Sequence, residues 1–549
     1  MDAERNELMF PKLSADQIAR LEAFGSRRES GAGEVLFAPG QPVFTLFVVV
    51  DGAIEIVTSA EATRHVVTIH HPGEFSGEVN LLLGRPSLVL GRTPAPSTLI
   101  EIDRAAMQRI VQTDSELSEI FLRAFMLRRA YLIANEVGEV VLAGSVHSPD
   151  TLRLKEFLTR NGEPFTYIDV ERESGIQELF DHFSVGVADI PVLICRGTTV
   201  LRNPSNAEAA ACLGLNAQLE VGIVYDVIVA GAGPSGLAAA VYAASEGLNV
   251  LVLETNAPGG QAGSSSRIEN YLGFPTGISG QDLAARALVQ AQKFGAQVNV
   301  AQCAAALKCS GRPFVIAING GQTIQGRSVI VATGARYRKL PLPNLERFEG
   351  AGIYYGATHV EAQMCRGEEV AIVGGGNSAG QAAMYLSNHA RHVHLLVRGP
   401  GLSDTMSRYL IRRIEESPLI TFRPFTEVEA FEGDVSLERV RWKDSRTGES
   451  KTCNIQHLFL MTGACPNTAW LDGCVALDEK QFVKTGMDLA PEDLAAAKWP
   501  LRRAPNLLET SLPGVFAVGD VRAGSVKRVA SAVGEGSIAI QLVHRFLAE

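Results

Sequence analysis

The sequence predicts a multidomain chain: an N-terminal β-barrel or jelly roll followed by helices, a small central α/β domain, and two C-terminal α/β domains. Three observations carry this. Short apolar runs separated by Gly or Pro recur from Gly33 to about Ala130, the spacing of an antiparallel barrel. Strand and helix patterns alternate from Val140 to Leu215, as in a small α/β domain. After Val224, two glycine-rich turns each join an apolar strand to a helix.

The 549 residues leave room for three to four domains at roughly 150 residues each. The formal charge of −10 argues against a broad basic face for nucleic acid or anionic lipid. With 46% apolar and 20% charged residues, the composition is that of packed domains, not a disordered chain. The charged start, Met1 to Arg5, precedes no apolar leader-like run. The longest apolar stretch, Ile223 to Ala244, contains Asp226, Pro234 and three spaced glycines, so it reads as strand, turn and helix, not a membrane span. Eight scattered cysteines, none spaced C-x-x-C, suggest cytoplasmic usage with neither a disulfide framework nor a metal site.

In the first region the strands are Val35-Leu36-Phe37, Phe47 to Val50, Ile54 to Val57 and Val66 to Ile69, with turns at Gly40, Gly52, Pro72-Gly73 and Gly84. One helical stretch is expected from Ala105 to about Glu136. In the second, the strand Val140-Val141-Leu142 leads into an amphipathic helix, Thr151 to Asn161. Further strands follow at Phe165 to Val170 and, opened by a proline, Pro191 to Cys195.

The third region starts with the strand Tyr225 to Ala230, the turn Gly231-Ala232-Gly233-Pro234-Ser235-Gly236 and a helix from Leu237 to Ser245. A second strand, Asn249 to Leu253, ends at Glu254, placed to accept from ribose hydroxyls. Strand, G-x-G-x-x-G, helix and acid together form a dinucleotide-binding, Rossmann-like fingerprint. The first Gly permits the tight turn, the second admits a pyrophosphate, and the third lets helix pack on strand. The helix N-terminus offers free N–H groups to the phosphates. The pattern recurs as Val370 to Val373, Gly374-Gly375-Gly376-Asn377-Ser378-Ala379 and a helix to about Ser387. Its next strand, Val393 to Val397, ends at Arg398. An Arg there can pair with a 2′-phosphate and favour NADP(H) over NAD(H), or it is an ordinary solvated Arg.

Residues 223–549 resemble the low-molecular-weight thioredoxin reductases, of the pyridine nucleotide-disulfide oxidoreductase type. Matching motifs are the first fingerprint, Gly259-Gly260-Gln261, Glu269-Asn270-Tyr271, Ala332-Thr333-Gly334-Ala335, the second turn, and Pro513 to Asp520. The resemblance implies an FAD domain in two parts, 223–340 and 463–549, with an NAD(P) domain, 341–462, inserted between them. It implies that Gln261 and Asn270 line the flavin and that Asp520 bonds its ribityl or phosphate chain, a role compatible with a helix N-cap. Gly260, Thr333, Gly334 and Gly519 belong to the same motifs. Lys527, Arg528 and Val529 stand where the family has a basic-Gln-Ala run beside the flavin. The family holds a C-x-x-C pair before the second turn; that slot reads Ala357-Thr358-His359-Val360 here. Thr358 and His359 are the catalytic candidates, with His suited to shuttle protons near neutral pH; a packing or surface His is the alternative. Cys365 is single, and Cys465, before Pro466-Asn467-Thr468, reads as a small buried residue. The second turn lacks the family's consecutive arginines: Gly399-Pro400 follows Arg398, and the next Arg is Arg408.

Residues 1–136 resemble a cyclic-nucleotide-binding domain, through Gly33 to Phe37, Gly40, Gly52 and the cassette-like run Pro72-Gly73-Glu74-Phe75-Ser76-Gly77-Glu78. The resemblance gives Gly77 a cyclic phosphate and Glu78 a ribose hydroxyl. The family's phosphate-neutralising Arg after Pro is replaced by Ser87, with Arg85 and Arg92 flanking. Arg85 is the candidate substitute; a barrel kept for docking or dimerisation is the other reading. Residues 137–218 are similar to a thioredoxin or glutaredoxin fold. Ser145-Val146-His147-Ser148 occupies the active loop, and Ile190-Pro191 the family's cis-proline position. Hydroxyls cannot cycle through disulfides, so this module is expected to be redox-inert.

These resemblances imply a cytoplasmic, homodimeric FAD-dependent NAD(P)H oxidoreductase that passes hydride from NAD(P)H to FAD and on to an unidentified acceptor, with a cyclic nucleotide as a candidate regulator. The other readings are a redox or cyclic-nucleotide sensor with little turnover, and a thioredoxin reductase using a partner's thiols.

Overall fold

The computed structural model describes residues 3–41, 45–58, 66–83, 85–135, 140–171, 186, 189–195, 199–219, 222–265, 267–268, 270–357 and 359–549. They fall into two compact units. One comprises 1–145, 157–220 and 289–301; the other comprises 146–156, 221–288 and 302–549. Among the described residues no helix is long and apolar enough to cross a membrane.

In the first unit two antiparallel sheets make the N-terminal barrel-like body. One orders Ser26–Ser30, Ser97–Asp103 and Thr45–Asp51; the other orders Val35–Phe37, Leu90–Arg92, Ile54–Val57 and Val66–His70. Their core is aromatic, with Phe75 and Phe121 edge to face at 4.7 Å and Phe125 against both. Such pairs add to the burial of their rings. The helical stretch expected from Ala105 to about Glu136 divides into two helices, Arg104–Thr113 and Ser115–Ala134. Asp114 divides them: its extended backbone ends the first, and its carboxylate accepts the Leu117 N–H of the second at 3.0 Å. A cap side chain inside a continuous apolar pattern is invisible to periodicity.

The central sheet orders Thr199–Arg202, Val192–Cys195, Val140–Gly144 and Thr166–Asp169; only the last pair is parallel. The helix after Gly144 runs Pro149–Arg160, two residues earlier than the pattern placed it, because proline is tolerated in a first turn. The Ile190–Pro191 peptide is cis. The second helix of the alternation falls mostly on 172–185 and 187–188, outside the described residues.

In the second unit, the strand Val224–Ala230 lies parallel between Val250–Leu253 and Thr323–Val331. Val515–Ala517, from near the C-terminus, also pairs parallel with Thr323–Val331. A second, wholly parallel sheet orders Ile353–Tyr354, His457–Leu460, Glu369–Val373, His392–Leu396 and Ile420–Arg423. Ala335–Tyr337 and Ala464–Pro466 pair antiparallel where the chain leaves for that second sheet and returns from it. Each sheet carries one glycine-rich turn at the C-terminal end of a central strand, where α/β sheets bind ligands.

Candidate nucleotide-cofactor sites

The first turn follows Val224–Ala230. Gly231 has φ +106°, and a Cβ on it would stand 2.3 Å from Ala332 O. A Cβ on Gly236 would stand 1.9 Å from Gly231 O, so turn and helix meet there backbone to backbone. Gly233 differs: its Cβ would meet nothing nearer than Gly260 Cα at 4.0 Å. Gly233 also caps the helix Pro234–Ser245 without a side-chain hydrogen bond, leaving the first-turn N–H groups available. A crowded first and third glycine, an open second one and an uncapped helix are what a pyrophosphate requires.

Glu254 is buried and its carboxylate is engaged. One oxygen accepts the Ala232 N–H at 2.7 Å and the other the Asn256 N–H at 2.9 Å. The acid placed by spacing as a ribose acceptor therefore also holds the turn. Ala232 O accepts the Gly259 N–H at 2.7 Å, bringing Gly259-Gly260 onto the turn. Gln261 Nε2 donates to Ala335 O. Thr333 and Asn467 are bonded to each other: Thr333 Oγ1 donates to Asn467 O at 2.8 Å, and Asn467 Nδ2 to Thr333 O at 2.9 Å. Gly334 O accepts the Asn467 N–H at 3.0 Å. Asn270 is exposed.

From the C-terminal side, Gly519 has φ +73° and its Cβ would lie 2.5 Å from Ser235 Oγ. Its N–H donates to Glu535 at 2.6 Å. Burial raises the Asp520 carboxyl above the ordinary range, against the pull of Lys527. Lys527 Nζ donates to Asp520 O at 3.0 Å. Lys527 and Arg528 are exposed, and the helix Val529–Leu547 begins at Val529. That helix crosses Pro234–Ser245 so closely that a Cβ on Gly536 would stand 2.2 Å from Ser235 O. The structure thus gathers Gly231 to Gly236, Glu254, Gly260 and Gly519-Asp520 around one turn.

The second turn follows Glu369–Val373. Gly374 has φ +147°, with its Cβ 2.3 Å from Met461 O, while a Cβ on Gly376 would meet only Thr405 O at 3.9 Å. Gly376 caps the helix Asn377–Leu386, again without a side-chain bond. Asn377 Oδ1 accepts the Ser407 N–H at 2.8 Å, Ser378 is exposed and Ala379 is buried. Arg398 is exposed beyond its strand.

Of the catalytic candidates, Thr358 lies outside the described residues; His359 begins the helix His359–Met364, and its side chain is likewise outside them. Ala357 and Cys365 are buried, and burial pushes the Cys365 thiol up to about 11. One disulfide, Cys309–Cys474, joins residues 165 apart. This corrects the expectation that the chain carries no disulfide; nothing in the spacing of scattered cysteines could reveal the pair.

In the barrel, Gly77 and Glu78 line a cavity of about 600 Å³, mouth included; Arg85 does not line it. Arg85 is buried, in the field of Glu163, Arg129 and Glu78, and burial pushes its guanidinium down to about 10. Ser87 lines the cavity, but its hydroxyl donates to Val89 O at 2.7 Å.

Residues 225–536, more than half the chain, match the model of the pyridine nucleotide-disulphide oxidoreductases. The chain belongs to that family. Within the family it is similar to the thioredoxin reductase of Mycolicibacterium smegmatis, 33% identical over 326 residues covering 59% of this chain and 97% of the relative. It is also similar to the NADPH-dependent thioredoxin reductase 3 of Arabidopsis thaliana, 32% identical over 64% of this chain and 65% of the relative. Among solved structures, Lactococcus lactis thioredoxin reductase matches 59% of this chain and 99% of its own, at 28% identity and TM-score 0.53. Residues 27–114 match the cyclic nucleotide-binding domain. The protein is thus a thioredoxin reductase-like flavoprotein oxidoreductase fused to a cyclic-nucleotide-binding domain. Its cofactors, FAD and NAD(P)H, suit the two open, uncapped turns.

Proposed function

We propose that this oxidoreductase passes reducing equivalents from NAD(P)H through FAD to an acceptor outside residues 357–360. FAD supplies the hydride-accepting chemistry, and the protein's share is to bind and orient the two nucleotides. The turn at Gly231 to Gly236, closed by Glu254, holds the resident nucleotide. The turn at Gly374 to Gly376 admits the exchanging one. In this reading residues 223–340 and 463–549 form the FAD domain, the 341–462 insert moves between cofactor contacts, and the chain works as a dimer. His359 is the residue we assign to hold or release a proton at the family's dithiol position, and Arg398 favours NADPH. The N-terminal barrel supplies regulatory input.

The observation that carries this reading is the pairing of two nucleotide-binding turns with a thiol-free slot. A relay needs an attacking thiolate and a resolving partner. Between Gly352 and Val373 the sequence offers only Cys365, whose buried thiol stays protonated at neutral pH. Anaerobic NADPH should bleach the flavin quickly, and the reduced protein should turn over on a quinone or a one-electron protein carrier. Robust reduction of thioredoxin by the pure chain would refute the proposal. Slow, single reduction without turnover on any acceptor would favour a sensor.

A further inference from the structure

The barrel cavity presents an unusual pairing of wall and charge. Most of its lining is apolar, including Phe37, Ile56, Val67, Leu81, Val89 and Leu132. Into it the helix Ser115–Ala134 brings Arg128, only 6% exposed. Its Nε donates to Met9 O at 2.9 Å, and Nη1 to Phe75 O at 3.0 Å and Gly77 O at 2.8 Å. The guanidinium lies over Phe75, 4.7 Å from the ring centroid, and over Phe10 at 5.2 Å. These bonds fix its position and leave Nη2 buried without a hydrogen-bond partner. A buried, unpartnered cationic donor on a cavity wall calls for an anion.

The rest of the wall does not suit a cyclic nucleotide. Among the described residues the charge that should face the phosphate is missing: Arg85 is outside the lining, and Ser87's hydroxyl is occupied by Val89 O. A purine and a ribose would press several donors and acceptors against the apolar side chains, each losing its water. Among the described residues the other polar side chains lining the cavity are Thr68, His70, Glu78, Ser87 and Tyr131. Glu78 is buried with neither carboxylate oxygen hydrogen-bonded, and its nearest cation, Arg129 Nη1, is 3.7 Å away. Burial raises its carboxyl above the ordinary range, against the pull of Arg129. His70 is buried with Nδ1 3.8 Å from the Glu74 carboxylate, and burial pushes it down to about 4, so it is neutral at pH 7.

We propose that this cavity is a regulatory site for a small organic acid with an apolar body, whose carboxylate is held by Arg128 Nη2 while Phe37, Ile56, Leu81 and Val89 cover the body. The site is independent of the redox reading, since it lies wholly within residues 9–132.

Isothermal titration of the full chain tests it with four probes: 4-phenylbutanoate, its uncharged analogue 4-phenylbutan-1-ol, cyclic AMP and cyclic GMP. The carboxylate should bind saturably at one site, the alcohol at least tenfold more weakly for want of the charge-assisted bond, and the cyclic nucleotides not at all at millimolar concentration. Arg128→Gln should reduce the carboxylate to the alcohol's affinity while leaving NADPH-driven flavin reduction unchanged. Because Arg128 also holds three carbonyls, Val67→Phe provides a second variant that narrows the cavity without touching it, and it should abolish binding. Equal affinity for alcohol and carboxylate would overturn the proposal. So would tighter binding of a cyclic nucleotide, no binding of the carboxylate at millimolar concentration, or a Val67→Phe protein that binds it normally.

Discussion

The two glycine-rich turns share a backbone plan and differ in what closes them. At the first, Gly259-Gly260 packs on the turn, and buried Glu254 ties Ala232 and Asn256 into it. At the second, Thr405 Oγ1 bonds Gly375 O at 2.7 Å, but beyond the following strand, His392–Leu396, Arg398 is exposed. The first turn is enclosed by main-chain packing and a buried acid; the second has an open flank. Closely related fingerprints, G-x-G-x-x-G at the first turn and G-x-G-x-x-A at the second, can therefore suit a resident and an exchanging cofactor, the difference lying in the residues around them.

The sharpest way to break the comparison is at the first turn's backbone. Gly236→Val places atoms where Gly231 O already stands, so the protein should purify colourless or fail to fold. Flavin absorbance per protein reads this, and retention of full colour would deny the turn its role.

Acid should act on the second region more than on the first. His457, on the strand His457–Leu460, is pushed down to about 4 by burial, and burial also lowers His394 in the same sheet. A depressed folded value means the stabilisation is present above the ordinary value of 6.5 and is lost as pH falls toward 4. For His457 alone the loss approaches about 3 kcal/mol. Hydrogen exchange across that interval should expose the sheet around Glu369–Val373 before Val224–Ala230, and His457→Leu should flatten the dependence.

Glu254→Ala removes the acceptor of the first turn's Ala232 N–H and of the Asn256 N–H beyond the second strand. We expect a loss of about 2 kcal/mol, seen as roughly thirtyfold weaker flavin retention. The smallest effect belongs to Arg398→Ala: an exposed pairing contributes about 1 kcal/mol or less, so KM for NADPH should rise up to about fivefold with KM for NADH unchanged. An equal rise for both nucleotides would remove Arg398's role in discrimination.

Much of this was legible in the sequence, because the fingerprint residues act through the backbone. Gly231, Gly236 and Gly374 are required wherever strand, turn and helix meet at those spacings, and the structure finds each crowded as expected. Side-chain choices made by distant partners were not legible. Glu254's bonds to the turn, the bond between Thr333 and Asn467, and the cap at Asp114 depend on groups that pattern cannot bring together. Arg85 and Arg128 mark the limit. Proximity to the cassette favoured Arg85, whereas the guanidinium on the cavity wall comes from a helix more than forty residues later, inside a stretch that reads only as helical.

The Cys309–Cys474 bond has a topological consequence. It closes a covalent ring that contains the whole 341–462 insert, with both sulfurs in the proposed flavin portions of the chain. A protease that nicks the insert once would leave a protein of unchanged mass on a non-reducing gel, separating into two pieces only after a thiol is added. The insert can thus be cut while the two chain segments that flank it stay fastened through Cys309 and Cys474.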